Sequence, residues 1–305
     1  MNTNQDNSGG RLFCLSVFYE LKFDDKYSKA PPPALGQLTQ PQKDVLAFYH
    51  NPNFKRPMDN FWPSLSAVVA DKRILRSIGF SGAVGVGKTT LMNKIITRLS
   101  DRLSMPVHQR YTKSGISYIT SDKICYIFLP DFSVYIDKYL DDIDPRTSCL
   151  HASVFYRSLF EDMENLISGF SNSWNYVIYW DRSPIENIVF GTLVNDDYKG
   201  LLGPEFWHSI SFMKIFKAFM PSVVHVFMID EKLRRERVLG RCRRQFELDC
   251  VNGSLDQITK VTNSFLETLF SVYTEANVKT QFWYNVTVGD DNLKDFELQN
   301  NIMFS

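Results

Sequence analysis

The chain has 305 residues, enough for one large domain with additional segments or for two small domains. It is 44% hydrophobic and 22% charged, and its 34 basic and 34 acidic residues give a formal net charge of zero. Because a nucleic-acid coat protein or a protein of anionic membrane surfaces carries a basic excess, this balance argues against both classes. The longest apolar stretches, such as 222–229, are far shorter than the roughly 20 residues of a membrane-spanning helix.

The amino-terminal sequence and the cysteines bear on the compartment. The start, MNTNQDNSGG, has neither the basic residues nor the apolar segment of a secretory signal. The five cysteines are scattered, odd in number and without a Cys-x-x-Cys pair, which argues against a disulfide framework or a structural zinc site. We therefore expect a cytoplasmic, or at least intracellular, protein in a reducing environment.

Residues 1–73 differ in composition from the rest of the chain. The run 12–23 alternates in the manner of a strand, but Ala-Pro-Pro-Pro-Ala at 30–34 excludes both a helix and a central strand. Prolines also interrupt the helix-like stretches of 41–73, and no chemistry-bearing motif occurs here. We predict an amino-terminal extension over 1–73, partly disordered and of unknown function.

From residue 74 onwards, short apolar runs alternate with longer amphipathic stretches, which is typical of βαβ units. This pattern predicts one α/β domain over 74–305, with a mostly parallel sheet covered by helices on both faces. The predicted strands are 74–80, 125–129, 176–180, 223–228 and 286–288, and the predicted helices are 91–99, 148–167, 204–219, 231–241 and 258–273.

A glycine-rich motif lies between the first predicted strand and the first predicted helix of this domain. Residues 82–89 read Gly-Ala-Val-Gly-Val-Gly-Lys-Thr and fit G-x-x-x-x-G-K-[ST]. The glycines let backbone N–H groups curve around an anion, and the helix N-terminus adds its positive dipole end. The lysine would reach the outer phosphates and the threonine hydroxyl would hold Mg²⁺. The predicted triphosphate-binding residues are Gly82, Gly85, Val86, Gly87, Lys88, Thr89 and Thr90.

An acid–arginine pair, Asp181-Arg182, closes the strand predicted over 176–180. Ligands of open α/β sheets bind at the carboxyl ends of strands, so this pair should face the same crevice as the glycine-rich loop. An acid there can serve Mg²⁺, and an arginine can neutralise charge on a transferred phosphoryl group. A plain surface turn is the alternative interpretation.

Six arginines lie within residues 234–244, directly after the strand predicted over 223–228. On a helix, Arg237 and Arg241 share a face, and Arg243 follows. In a neutral protein with a phosphate loop, we interpret this cluster as a lid that closes over the triphosphate. A solvated helix face and a nucleic-acid patch are the alternatives, and we expect no stable nucleic-acid partner.

These motifs together resemble the deoxynucleoside kinases, including the herpesvirus-type thymidine kinases. The resemblance covers 74–296, about three-quarters of the chain, and includes the glycine-rich loop, Asp-Arg-Ser-Pro-Ile at 181–185 and the R-x3-R-x-R spacing from Arg237. It also includes Leu-Pro-Asp at 129–131, followed by Asp-Pro-Arg at 144–146. The distance from Lys88 to Asp131 exceeds the family pattern, so 101–123 looks like an insertion.

The resemblance implies a P-loop fold with a five-stranded parallel sheet, helices on both faces and an arginine-rich lid. It implies transfer of the γ-phosphoryl group of ATP, with Mg²⁺, to the 5′-hydroxyl of a deoxynucleoside in nucleotide salvage, with thymidine as the expected substrate. A homodimer is compatible with it, because family members are commonly dimers. A nucleoside monophosphate kinase, such as thymidylate kinase, is the alternative function, and a non-kinase P-loop ATPase or switch is more distant.

The resemblance also implies roles for individual residues. Asp131 would be the general base, where the family usually has glutamate, and Asp181 would hold magnesium together with Thr89. Arg182 would clamp the phosphoryl group, and the lid would contribute Arg237, Arg241 and Arg243. The residues proposed to bind substrate are Tyr135, at the place of a family tryptophan, His151, near the place of a family glutamine, Phe190 and Glu247.

The placement of Asp131 depends on which of two strand-like runs enters the sheet. The run 105–111 ends without a carboxylate, whereas 125–129 ends in Pro130-Asp131 and is followed at a family-like distance by Asp-Pro-Arg. We therefore predict that 125–129 is the sheet strand. An aspartate that only caps the turn after Pro130 is the alternative interpretation.

Overall fold

A computed structural model describes residues 62–109, 115–132, 145–183, 186, 218–241 and 278–284, and their side chains except at 109, 145–154, 157 and 284. Within these ranges, none of the helices combines the length and the apolar character needed to cross a membrane. The helices are α1 (Pro63–Ala70), α2 (Lys88–Leu103), α3 (Pro145–Ile167) and α4 (Glu231–Arg241). The strands are β1 (Ile74–Ser81), β2 (His108–Gln109), β3 (Ser117–Ser121), β4 (Ile124–Leu129), β5 (Asn175–Asp181), β6 (Val223–Met228) and β7 (Lys279–Tyr284).

The strands form one mostly parallel sheet in the order β2-β3-β4-β5-β1-β6-β7. The pairings from β4 to β7 are all parallel, and the pairings of β2 with β3 and of β3 with β4 are antiparallel. The predicted α/β architecture is confirmed, but the predicted count of five strands is wrong for the whole sheet. Both antiparallel strands come from the segment 101–123, which the sequence marked as an insertion.

Long apolar side chains fill both faces of the central strands, because a parallel sheet is covered by helices on each side. On one face, Phe80, Phe128 and Tyr179 stack with ring centroids 4.9–6.4 Å apart, and Ile95 and Leu99 of α2 join the same cluster. On the other face, Trp180 packs with Phe160 of α3, and its indole N–H donates to the Phe219 carbonyl at 2.9 Å. The helix-on-both-faces prediction is therefore confirmed.

Helix α1 packs on α3 although it lies inside the predicted extension. Trp62 is 2% exposed and stacks on Phe160 at 5.3 Å, and Leu65 and Val68 are fully buried. The two carboxylate oxygens of Glu164 accept the N–H groups of Ser64 and Leu65, each at 2.9 Å, which satisfies two free donors of the helix start. The packed unit therefore begins at or before Trp62, upstream of the boundary placed at 73.

Candidate active site

The glycine-rich loop has the strand–loop–helix setting that the sequence predicts. It leaves β1 and enters α2 at Lys88, and Gly82, Gly85 and Gly87 have φ angles of 128°, 90° and 102°. Residues that carry a side chain rarely adopt such positive φ values, which explains the need for glycine at these positions. A Cβ atom on Gly82 would also collide with the Phe227 carbonyl oxygen of β6. The loop can therefore adopt this path only with these glycines.

Lys88 points back over the loop that precedes it. Its ammonium donates to the carbonyl oxygens of Gly82 and Ala83, each at 3.0 Å. Burial, and next the charge of Arg182, lower the pKa of Lys88 to about 7 against the opposing pull of Asp181 and Asp131. Its contacts with Gly82 and Ala83 place the ammonium at the glycine-rich loop, where a bound phosphate group would lie.

Thr89 and Asp181 come together at the carboxyl ends of β1 and β5. The Thr89 hydroxyl donates to Asp181 Oδ2 at 2.6 Å. Within the described residues, the buried Asp181 Oδ1 has no hydrogen-bond partner. Burial, and next the charge of Asp131, raise the pKa of Asp181.

This pair of oxygen donors fits a magnesium ion. Mg²⁺ prefers hard oxygen ligands and takes only one or two carboxylates when the rest of its shell is water and substrate phosphate. The described residues contain no cluster of three His, Cys, Asp or Glu side chains that could enclose a metal. The donor set around Asp181 therefore suits an ion that arrives with a nucleotide.

Arg182 lies between two carboxylates. Its Nε is 3.3 Å from Asp131 Oδ2, and its Nη1 donates to Glu186 Oε2 at 3.3 Å. Its backbone has φ 68°, a left-handed value, while its N–H donates to the Phe80 carbonyl at 3.1 Å. Burial alone would lower the pKa of the guanidinium, but Asp131, Glu186 and Asp181 together raise it above its usual value. The structure therefore brings together Lys88, Asp131, Asp181 and Arg182, as the sequence predicts.

Glu186 also belongs to this cluster, although the sequence analysis did not identify it as a site residue. It is fully buried, and burial raises the pKa of its carboxyl to about 7, although Arg182 and Lys88 oppose that shift. Its Oε1 accepts the N–H of Ser183 at 3.4 Å. Ser-Pro-Ile-Glu at 183–186 fits the capping-box pattern S-x-x-E, in which the acid returns to the backbone N–H of the first residue. That pattern was the available signal.

Helix α4 contacts the glycine-rich loop through Arg234, which belongs to the predicted arginine cluster but was given no role of its own from the sequence. The Arg234 guanidinium donates to both carboxylate oxygens of Glu231 at 2.6 and 2.7 Å, and its Nη1 donates to the Val84 carbonyl at 3.1 Å. A Cβ on Gly85 would lie 2.7 Å from Val238. The start of the arginine cluster thus packs directly on the loop.

The remaining predicted residues occupy different positions. Arg237 donates to the Val86 carbonyl at 3.5 Å, and Arg241 is exposed at the end of α4. Thr90 is exposed in the first turn of α2. His151 lies on α3, but its side chain is outside the description. Tyr135, Phe190, Arg243 and Glu247 lie outside the described residues, and their roles stay predictions.

Comparison with known proteins gives a distant structural likeness. No family model and no curated protein matches the chain. Among solved structures, thymidylate kinase from Candida albicans is similar over 75% of this chain and 93% of that one, at 16% identity and a TM-score of 0.42. A likeness of this size decides neither family nor substrate. The glycine-rich loop and the mostly parallel sheet are consistent with a P-loop kinase fold, and the herpesvirus-type resemblance stays a prediction.

Proposed function

We propose that this protein is an ATP-dependent kinase that phosphorylates a deoxynucleoside or its monophosphate. The observation that carries the proposal is the cluster at the carboxyl ends of β1, β4 and β5. There the triphosphate-side groups, Lys88 and the Thr89–Asp181 pair, lie next to a second set, Asp131 and Arg182. A carboxylate and an arginine at this place could act on an acceptor group and on the transferred phosphoryl group, which is what a kinase requires.

On the ATP side, the residues would bind the charged phosphate groups and the metal ion that accompanies them. Lys88 and the N–H groups of the loop would bind the outer phosphates, and Thr89 and Asp181 would hold Mg²⁺. Mg²⁺ held by these two residues would supply positive charge against the charge that develops during transfer. Arg182 would contribute a buried cation on the acceptor side of the same phosphoryl group.

On the acceptor side, Asp131 favours a hydroxyl group. It lies two residues after the end of β4, pairs with Arg182 and is 13% exposed, so its side chain is partly accessible to an acceptor. A sugar hydroxyl must lose its proton as it attacks phosphorus, and a positioned carboxylate can accept that proton. This supports a deoxynucleoside acceptor, with thymidine as the first candidate.

A monophosphate acceptor is the second candidate, because the guanidinium of Arg182 lies at the same place. A phosphate monoester is already anionic, so it needs a cation for binding and no general base. Arginine is well suited to that task, since its planar group can donate two parallel hydrogen bonds to phosphate. The contact between Asp131 and Arg182 provides both chemistries in one site.

An assay of ADP formation with Mg²⁺·ATP separates these candidates. The acceptors are the four deoxynucleosides and, in parallel, their 5′-monophosphates, and chromatography identifies the phosphorylated product. We expect transfer to at least one of these eight compounds, with thymidine and dTMP tested first. ATP turnover that needs DNA and ignores all eight acceptors would show that the protein is not a nucleoside or nucleotide kinase.

A further inference from the structure

Glu186 makes close contact with the reacting cluster but cannot reach a substrate. Its side chain is 0% exposed, whereas the side chain of Asp131, the other carboxylate on Arg182, is 13% exposed. Both oxygens of Glu186 are engaged, since Oε1 accepts from the Ser183 N–H and Oε2 accepts from Arg182 Nη1. None of the proposed steps of transfer uses this residue.

We propose that Glu186 is a positioning residue that fixes the Arg182 guanidinium for phosphoryl transfer, an inference that rests on the proposed kinase function. Asp131 contacts Nε and Glu186 contacts Nη1, so two different nitrogens of one planar group are held. Contacts at two points fix the rotation of that plane as well as its position. Loss of either contact would weaken the hold on that plane.

The need for a second holder follows from what Asp131 has to do. When Asp131 accepts a proton or contacts an acceptor, its attraction for Arg182 weakens at the moment when the arginine must stay in place. Glu186 is out of reach of the acceptor, and its Ser183 contact ties it to the backbone next to Arg182. It therefore holds the guanidinium through the whole reaction.

Glu186→Gln is a sharp test, because the amide has a single acceptor oxygen. In the same position, glutamine would place its oxygen against one donor, the Ser183 N–H or Arg182 Nη1, and its NH₂ group against the other, while the side-chain volume hardly changes. A misplacement of about 1 Å near the chemistry can cost on the order of 10²-fold in rate. We expect kcat with the best acceptor to fall about 10- to 100-fold, with the KM for ATP changed less than about threefold.

Glu164→Gln is the matched control. Glu164 also uses both carboxylate oxygens to accept two donors, the N–H groups of Ser64 and Leu65, but it does so at the start of α1. Glu164→Gln, like Glu186→Gln, removes one of two acceptor oxygens and should lower the melting temperature. It should keep the wild-type kcat, because Glu164 lies away from Arg182. If both variants lose kcat to the same extent, a merely structural effect explains the result and the inference is overturned.

A double-mutant cycle tests whether Glu186 acts through Arg182. In an Arg182→Gln background there is no guanidinium to position, so adding Glu186→Gln should lower kcat less than about threefold further. Independent effects, in which the two losses multiply in full, would overturn the inference. If Glu186→Gln does not fold, Glu186→Asp takes its place in the cycle, because its shorter carboxylate also cannot reach both donors.

The two proposals fail in different ways. A wild-type protein that phosphorylates none of the nucleosides or monophosphates overturns the proposed function, and the inference with it. An active wild-type protein whose Glu186→Gln variant keeps its kcat overturns the inference alone.

Discussion

Replacing Asp131 with asparagine tests the assignment of the general base. The substitution keeps the shape of the side chain and its ability to cap a turn, but it removes the group that would take the acceptor proton. We expect kcat with a deoxynucleoside to fall about 10²- to 10⁴-fold, which corresponds to about 3–5 kcal/mol on the activation barrier. Asp131→Glu should keep more activity, since the longer side chain still carries a carboxylate that can take the proton.

The same substitution also weakens the contact with Arg182, and its size can be worked out from the geometry. At 3.3 Å and an effective dielectric constant of about 20, the attraction is about 5 kcal/mol before desolvation is subtracted. Because Glu186 still pairs with the guanidinium, we expect a net loss of about 1–3 kcal/mol in the free energy of unfolding. Urea titration measures this loss, and it must be known before kcat is interpreted.

The choice of acceptor separates a lost base from a displaced arginine. A monophosphate needs no deprotonation, so loss of the base should lower its transfer less than about tenfold while nucleoside transfer falls by the full factor. Steady-state kinetics of Asp131→Asn with thymidine and with dTMP give both numbers for one protein preparation. Near-wild-type turnover with the nucleoside would refute the base assignment and support an aspartate that only caps the turn after Pro130.

Three further predictions concern other parts of the chain. Lys88→Ala should lower kcat about 10²- to 10³-fold by steady-state assay and leave the thermal melt nearly unchanged, so a wild-type kcat would contradict the triphosphate site. Gly85→Ala would place a methyl group against α4 at a backbone φ of 90°, so it should raise the KM for ATP and lower Tm. Gly240→Ala is the control: a Cβ there meets nothing within 4 Å, and the change should raise Tm slightly. Deletion of residues 1–61 should leave a folded enzyme. Deletion of residues 1–70 should lower Tm and solubility, because it also removes the buried side chains of α1. Equal melting temperatures of the two truncated proteins would contradict this prediction.

Most of the parallel sheet could be predicted from the sequence, because its central strands are continuous apolar runs with clear ends. The bounds of β6 and α4 match the predictions, and β1, β5 and α3 differ by a few residues at their ends. Strand β7 was missed. Its first half, Lys279 to Gln281, is polar, and Phe282 is 49% exposed, so no apolar run of strand length marks it. The strand predicted over 286–288 lies outside the described residues.

The site could be predicted where its residues follow strand ends. The choice of 125–129 over 105–111 is confirmed, since β4 pairs in parallel with β5, while the other run contributes only the antiparallel β2. Glu186 and Arg234 could not be ranked above other charged residues, although each has an ion-pair partner three or four residues away in the chain. Local spacing does not reveal that both side chains are buried, or that Arg234 also contacts the glycine-rich loop.

The antiparallel strands β2 and β3 also have a consequence for how the edge of the sheet meets solvent. β4 is among the most apolar strands, and Cys125, Ile127 and Leu129 are fully buried. If β4 were the edge of the sheet, its unpaired N–H and C=O groups would offer a long template for joining another chain. β3 covers that edge, and the described sheet ends there on β2, which is only two residues long. The pair of strands β2 and β3 therefore shields the backbone of β4, and removing it would leave this buried apolar strand at the edge of the sheet.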